Sequence, residues 1–158
     1  MRATRLLSMI ILSSATACGG SSTTTITGTN NNNSSAPMSA TIDGAAWSAQ
    51  LPSASYTNNL VVVAGVDNAL TASVSFGFGA TAPGTYSLGF ANPNGGTGII
   101  VKSGKSWGTS LQGGTGSVTL TTLTAHHLVG TFTFNAVASG GGAAGTSVVT
   151  NGKFDITF

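Results

Sequence analysis

Few side chains in this 158-residue chain could carry chemistry: three carboxylates (Asp43, Asp67, Asp155), two adjacent histidines (His126, His127) and one thiol, Cys18. Acid–base hydrolysis needs two carboxyl groups tuned to different roles. The chain has no glutamate, so such a pair would have to come from the three aspartates. Asp43 precedes Gly44 and Asp67 precedes Asn68, turn contexts in which an aspartate side chain bonds nearby backbone. Asp155 falls on the polar side of the alternating run Phe154-Asp155-Ile156. All three read as structural. A serine nucleophile would need an elbow leading into a helix, and no Gly-x-Ser-x-Gly segment does so. Neighbouring residues on a strand face opposite sides, so at most one of His126 and His127 could join a given site. The pair also lacks cysteine or carboxylate at metal-ligand spacing. The glycine-rich stretch 139–145 lacks the Lys-Ser/Thr ending of a phosphate cradle. No catalytic residue, metal or cofactor is expected, and the chain reads as a non-enzyme.

Aromatic side chains offer the remaining route to a ligand. Trp107, Trp47 and Tyr86, with Tyr56, could form a stacking platform for sugars. Trp107 sits between Ser106 and Gly108 with Lys102 and Lys105 nearby, and is expected to be the most exposed of the four. Trp47 and Tyr86 fit a core or edge-covering role equally well.

Cys18 has a different context. Arg2 and Arg5 precede the apolar run 6–12, and Ser13-Ser14-Ala15-Thr16-Ala17 leads into the cysteine. A basic segment, a short apolar segment and small residues before a cleavage point make a secretory signal over 1–17. The run is too short to span a bilayer, which takes about 20 residues. A cysteine directly after the small residues resembles the lipobox of bacterial lipoproteins. The resemblance implies a diacylglyceryl thioether on Cys18, removal of the preceding peptide and acylation of the new amino terminus. Several acyl chains, at about 0.8 kcal/mol per buried methylene, would hold the protein on the membrane effectively permanently. Gly19 stands where an inner-membrane retention signal would place aspartate, so the outer membrane is the expected address.

Composition excludes other partners. Once Arg2 and Arg5 leave with the signal, Lys102, Lys105 and Lys153 face Asp43, Asp67 and Asp155, a side-chain balance of zero. Nucleic-acid binding needs several cations on one face, and three lysines cannot supply them. A lipidated Cys18 leaves no thiol for a disulfide. Residues 18–37 are rich in Ser, Thr and Asn and carry almost no apolar side chain, the composition of a disordered tether.

From residue 38 to 158 the pattern is that of one β-domain. Val74, Phe76 and Phe78 alternate with small residues, as do Tyr86, Leu88 and Phe90. Phe132 and Phe134 alternate with Thr131, Thr133 and Asn135, and Phe154, Ile156 and Phe158 share one face. Asp43-Gly44 predicts a tight reversal, and Asn92-Pro93-Asn94-Gly95-Gly96 a loop. No stretch after the signal keeps helical spacing. An antiparallel β-sandwich or flattened barrel of about 8 strands is expected. Asn151-Gly152 leaves two readings open: a two-residue hairpin turn, or a bulge inside one long strand whose hairpin loop is 139–145. The second gives Val129–Val137 a partner of comparable length.

Several segments together carry a resemblance: Met38-Ser39-Ala40-Thr41-Ile42-Asp43-Gly44 with Trp47, Gly84-Thr85-Tyr86, Gly116-Ser117-Val118-Thr119-Leu120, Gly130-Thr131-Phe132-Thr133-Phe134 and Thr150-Asn151-Gly152-Lys153-Phe154-Asp155-Ile156. They resemble a family of uncharacterised bacterial lipoproteins whose domain is of unknown function. The resemblance implies a lipid-anchored β-domain and brings no activity, ligand or catalytic residue. A structural or interaction role on the membrane is therefore the first expectation, with a protein or glycan partner. A glycan or small-ligand binding module is the alternative. Few charges guard the strand edges, so an assembly subunit is a third.

Overall fold

The computed structural model describes residues 36–91 and 95–158. The expected signal peptide, Cys18, the expected tether as far as residue 35 and residues 92–94 of the expected loop lie outside the described residues. Among the described residues eleven strands follow one another: β1 (Met38–Ile42), β2 (Ala45–Ser48), β3 (Leu51–Thr57), β4 (Leu60–Val66), β5 (Ala72–Gly79), β6 (Gly84–Gly89), β7 (Thr97–Lys102), β8 (Lys105–Gly108), β9 (Thr115–Leu123), β10 (His127–Gly140) and β11 (Thr146–Thr157). The all-β antiparallel reading is what the structure shows. The strands exceed eight because short pieces such as β2 and β8 each pair as strands in their own right.

The sheet runs β2-β1-β11-β10-β8-β7-β5-β4-β3, with β6 and β9 branching from β10. Length explains the branch. β10 spans 14 residues. Its first half pairs with β9 through Leu128–Asn135, and its end pairs with β8 through Val137–Gly140. The sheet therefore curls into a half-barrel. A parallel bridge between Leu88 and Gly96 ties the β6 branch to the approach of β7. At the fork, the buried Thr109 takes over the backbone's role: its hydroxyl accepts from the Gly98 amide at 2.9 Å, and its own amide donates to the Gly98 carbonyl at 2.9 Å. Burying that hydroxyl costs little once the bond is made.

Tight turns set the register. Asp43-Gly44, Asn58-Asn59 and Ser103-Gly104 are two-residue hairpin loops with positive φ at both positions. That geometry matches the right-handed twist of the flanking strands. At Asn151 the strand β11 carries an extra residue: Phe132 pairs with Gly152, Phe134 with Val149, and Asn151 has φ 52°. Thr150 and Asn151 thus both face outward. Of the two readings of this dipeptide, the bulge within a long strand is the one found.

Inward-facing residues of opposite walls meet in the core. Phe76 on β5 lies 4.9 Å from Phe132 on β10 and 5.6 Å from Phe154 on β11, centroid to centroid. One expected alternation stops early. Gly89 has φ 141°, and a Cβ there would come 2.7 Å from the Gly114 carbonyl oxygen. The strand ends at that glycine, and Phe90 is 65% exposed rather than packed beside Leu88.

Candidate functional site

The four aromatic candidates do not form a platform. Trp107 lies within β8 and is only 8% exposed. This overturns the expectation of an exposed indole: Trp107 pairs with the buried Ile100 and so shares the inward face. Its Nε1–H donates to the Ala144 carbonyl at 3.2 Å, and the Lys102 ammonium sits 4.6 Å above the ring. Trp47 is equally buried, with Nε1 3.4 Å from the Ala72 carbonyl oxygen. Tyr86 is half-buried, packs on Phe78 at 5.0 Å and donates its hydroxyl to the Ala82 carbonyl. Tyr56 is half-buried and donates to Ala80 at 3.3 Å. Their ring faces are used by the core.

The carboxylates are occupied as well. Asp43, at the β1–β2 turn, accepts from the Val148 amide (2.7 Å), the Ser147 hydroxyl (2.9 Å) and the Lys102 ammonium. Lys102 also donates to the Ser147 oxygen at 3.0 Å. Burial alone would raise the Asp43 carboxyl, but Lys102, Val148 and Ser147 outweigh it and hold the group below the usual aspartate range. Serine, lysine and aspartate in mutual contact resemble a nucleophile with its base. Ser147 is fully buried, however, and its hydroxyl is committed on both sides, so no substrate reaches it. Asp67 accepts from the Thr71 amide and hydroxyl, both at 2.8 Å, and from the Ala72 amide at 3.2 Å. Asp155 pairs with His127 at 2.8 Å, while the ring of His126 packs edge-on to Phe158 at 6.5 Å. The two histidines thus serve separate contacts. Gly104-Lys105-Ser106-Trp107-Gly108 has the spacing of a nucleophile elbow, but it lies at a hairpin turn and along β8. Ser106 there accepts from the Ser139 hydroxyl at 3.2 Å, and no histidine or carboxylate is bonded to either serine.

Among the described residues there is also an open concavity. On the outer faces of β9, β10 and β11 a shallow groove of about 430 Å³ is lined by Ser117, Thr119, Thr131, Thr133, Asn151 and Lys153, with buried Phe132 and Gly152 beneath. Register builds it. Thr85, Thr119, Thr131, Lys153 and Ser39 stand side by side across five strands, and Ser87, Ser117 and Thr133 form the adjoining row. Thr85 and Thr119 share a hydroxyl–hydroxyl bond of 2.9 Å, and Thr133 donates to the Val149 carbonyl at 2.9 Å. The other half of the exterior differs: Leu60 and Val62 of β4 and Ile99 of β7 are exposed apolar residues.

Sequence reasoning placed Thr131, Thr133 and Asn135 on the polar side of a strand without marking them as a site. The signal was present as Ser/Thr alternation in three segments, but only the pairing of those segments makes a surface. No curated protein and no solved structure matches the chain. A family model does match, over residues 32–155, and on that basis the chain belongs to the family described as a domain of unknown function, DUF6252.

Proposed function

We propose that this protein is a lipid-anchored, extracytoplasmic domain on the outer membrane of a bacterium, working without catalysis by presenting its outer β-face to a partner. The observation that carries the non-catalytic part is the engagement of all three carboxylates, with Asp43, Asp67 and Asp155 each held by a structural partner. Hydrogen bonds of this kind hold turns and strand ends together, which supports a structural role for these groups. The anchor rests on the sequence around Cys18, with Gly19 supporting the outer membrane. Membrane fractionation tests it: the wild-type protein is expected in the membrane pellet and Cys18→Ser in the soluble fraction. A Cys18→Ser protein that still pellets with membranes removes the anchor from this reading.

Self-association is a second reading, favoured by the exposed Leu60, Val62 and Ile99 and by β3, which ends the sheet order among the described residues. Sedimentation in detergent across a concentration series tests it, and a strict monomer dismisses it.

A further inference from the structure

We infer that the groove over β9, β10 and β11 binds acidic glycans, with Lys153 as the partner of a sugar carboxylate. This deepens the reading of an outward-presenting interaction domain and rests on it. The lining chemistry selects the ligand. A Ser or Thr hydroxyl can donate and accept, as a sugar hydroxyl does; Thr133 spends its proton on the Val149 carbonyl and so meets a sugar as an acceptor, and Thr85 and Thr119 share one bond between them. The lining contains no carboxylate. Asp155, two residues along β11, is turned to His127 at 2.8 Å, and among the described residues Lys153 is in no ion pair. A single cation in a field of hydroxyls suits a polymer of hydroxyls with spaced negative charge. It does not suit a nucleic acid, whose dense phosphates need several cations.

Shape agrees with the chemistry. The hydroxyl row crosses five strands, roughly 19 Å at about 4.8 Å between neighbours, so an extended chain can lie across it. The groups are also held in place before a ligand arrives. The bulge fixes Asn151 outward at φ 52°, and Thr133 is tied to Val149 at 2.9 Å. Preorganised groups lose less freedom on binding. No aromatic ring lies across the groove's open side, so each contact is weak. Many anchored copies on one membrane would supply avidity for a long polymer.

The test uses full-length protein in detergent, titrated by calorimetry with polygalacturonate, neutral dextran and polyglutamate. Polygalacturonate is expected to bind, with affinity falling as salt rises. Lys153→Ala should weaken it about five- to tenfold, and Lys153→Arg should restore most of the loss. The double variant Thr131→Val, Thr133→Val keeps the β-branched shape and should weaken binding by about threefold or more. Lys105→Ala, at the start of β8, should change nothing. Dextran binding as tightly as polygalacturonate, or Lys153→Ala leaving affinity unchanged, overturns the proposal. So does polyglutamate binding as tightly, which would assign the groove to an acidic polypeptide. None of these outcomes bears on fractionation of Cys18→Ser, so failure of the anchor and failure of the groove are separately visible.

Discussion

Lys102 of β7 reaches Asp43 in the β1–β2 turn, 59 residues earlier in the chain, and the pair fastens one end of the curled sheet. Asp43 has φ 49° in its two-residue turn, and from there its carboxylate meets β11 at the Val148 amide (2.7 Å) and the Ser147 hydroxyl (2.9 Å). Three segments distant in sequence are joined at one carboxylate. An exposed ion pair alone would add little. The fully buried Ser147 hydroxyl raises the stakes, because losing its acceptor leaves a polar group unsatisfied. Asp43→Ala is expected to cost about 1–3 kcal/mol, read by chemical denaturation. A loss within a few tenths of a kcal/mol would show that water replaces the carboxylate freely.

Acid should loosen the same contacts. The Asp43 carboxyl is held low against the upward pull of burial by Lys102, Val148 and Ser147. Asp67 is held low too: desolvation acts upward, and the amides of Ala72 and Thr71 with the Thr71 hydroxyl outweigh it. A carboxyl depressed in the fold stabilises it above the unfolded-state value, and that contribution is lost as pH falls through the folded value. Thermal stability should therefore hold from neutral pH down to about pH 4, the ordinary aspartate range, and decline below it. Asp43→Asn should flatten part of that decline. An acid limb identical to wild type in both Asp43→Asn and Asp67→Asn would contradict this account.

The β11 bulge gives a paired prediction. A Cβ on Gly152 would lie 2.6 Å from the Phe132 ring, and real side chains do not tolerate that approach. Gly152→Ala is expected to cost about 1–3 kcal/mol through overpacking. Gly142→Ala, in the open β10–β11 loop, meets no atom within 4 Å and pays only for its φ of 71°. At Asn151 the left-handed backbone suits asparagine or glycine. Asn151→Gly should be nearly neutral, whereas Asn151→Val should lose about 1–2 kcal/mol. Equal melting temperatures for Asn151→Val and Asn151→Gly would mean that the bulge relaxes.

Much of this architecture was legible in the chain because its causes are local. Alternation identified the inward faces of β5, β10 and β11, and Asp43-Gly44 announced its own hairpin. The edge strand β3 escaped notice, since Leu51-Pro52-Ser53-Ala54-Ser55-Tyr56-Thr57 has weak alternation and a proline that the sheet tolerates only at an edge. Asn58-Asn59 behind it makes the same turn as Asn-Gly, but with a rarer pair. The groove was invisible for a different reason. Thr85, Thr119, Thr131 and Lys153 become neighbours only through pairings between strands far apart in sequence, and one bulge on β11 sets the final register. Trp107 misled because flanking lysines suggested an exposed segment. Lys102 instead lays its ammonium over the indole and brings its charge to Asp43, so the ring stays inside.

That placement of Trp107 leads to a prediction separating core from binding surface. Trp107→Ala removes a large buried side chain and should cost about 3–5 kcal/mol. Trp107→Phe retains a ring beneath Lys102 but gives up the N–H bond to Ala144, on the exposed β10–β11 loop, and part of the buried ring volume, so a loss of about 1–3 kcal/mol, smaller than that of the alanine variant, is expected. Both tryptophans of the chain are buried. Their emission should therefore be blue-shifted in the folded protein and unmoved by polygalacturonate at the Lys153 groove. If saturating glycan quenches that emission, and Trp107→Phe abolishes the quench, the ligand contacts the indole and the binding surface must be redrawn around β8.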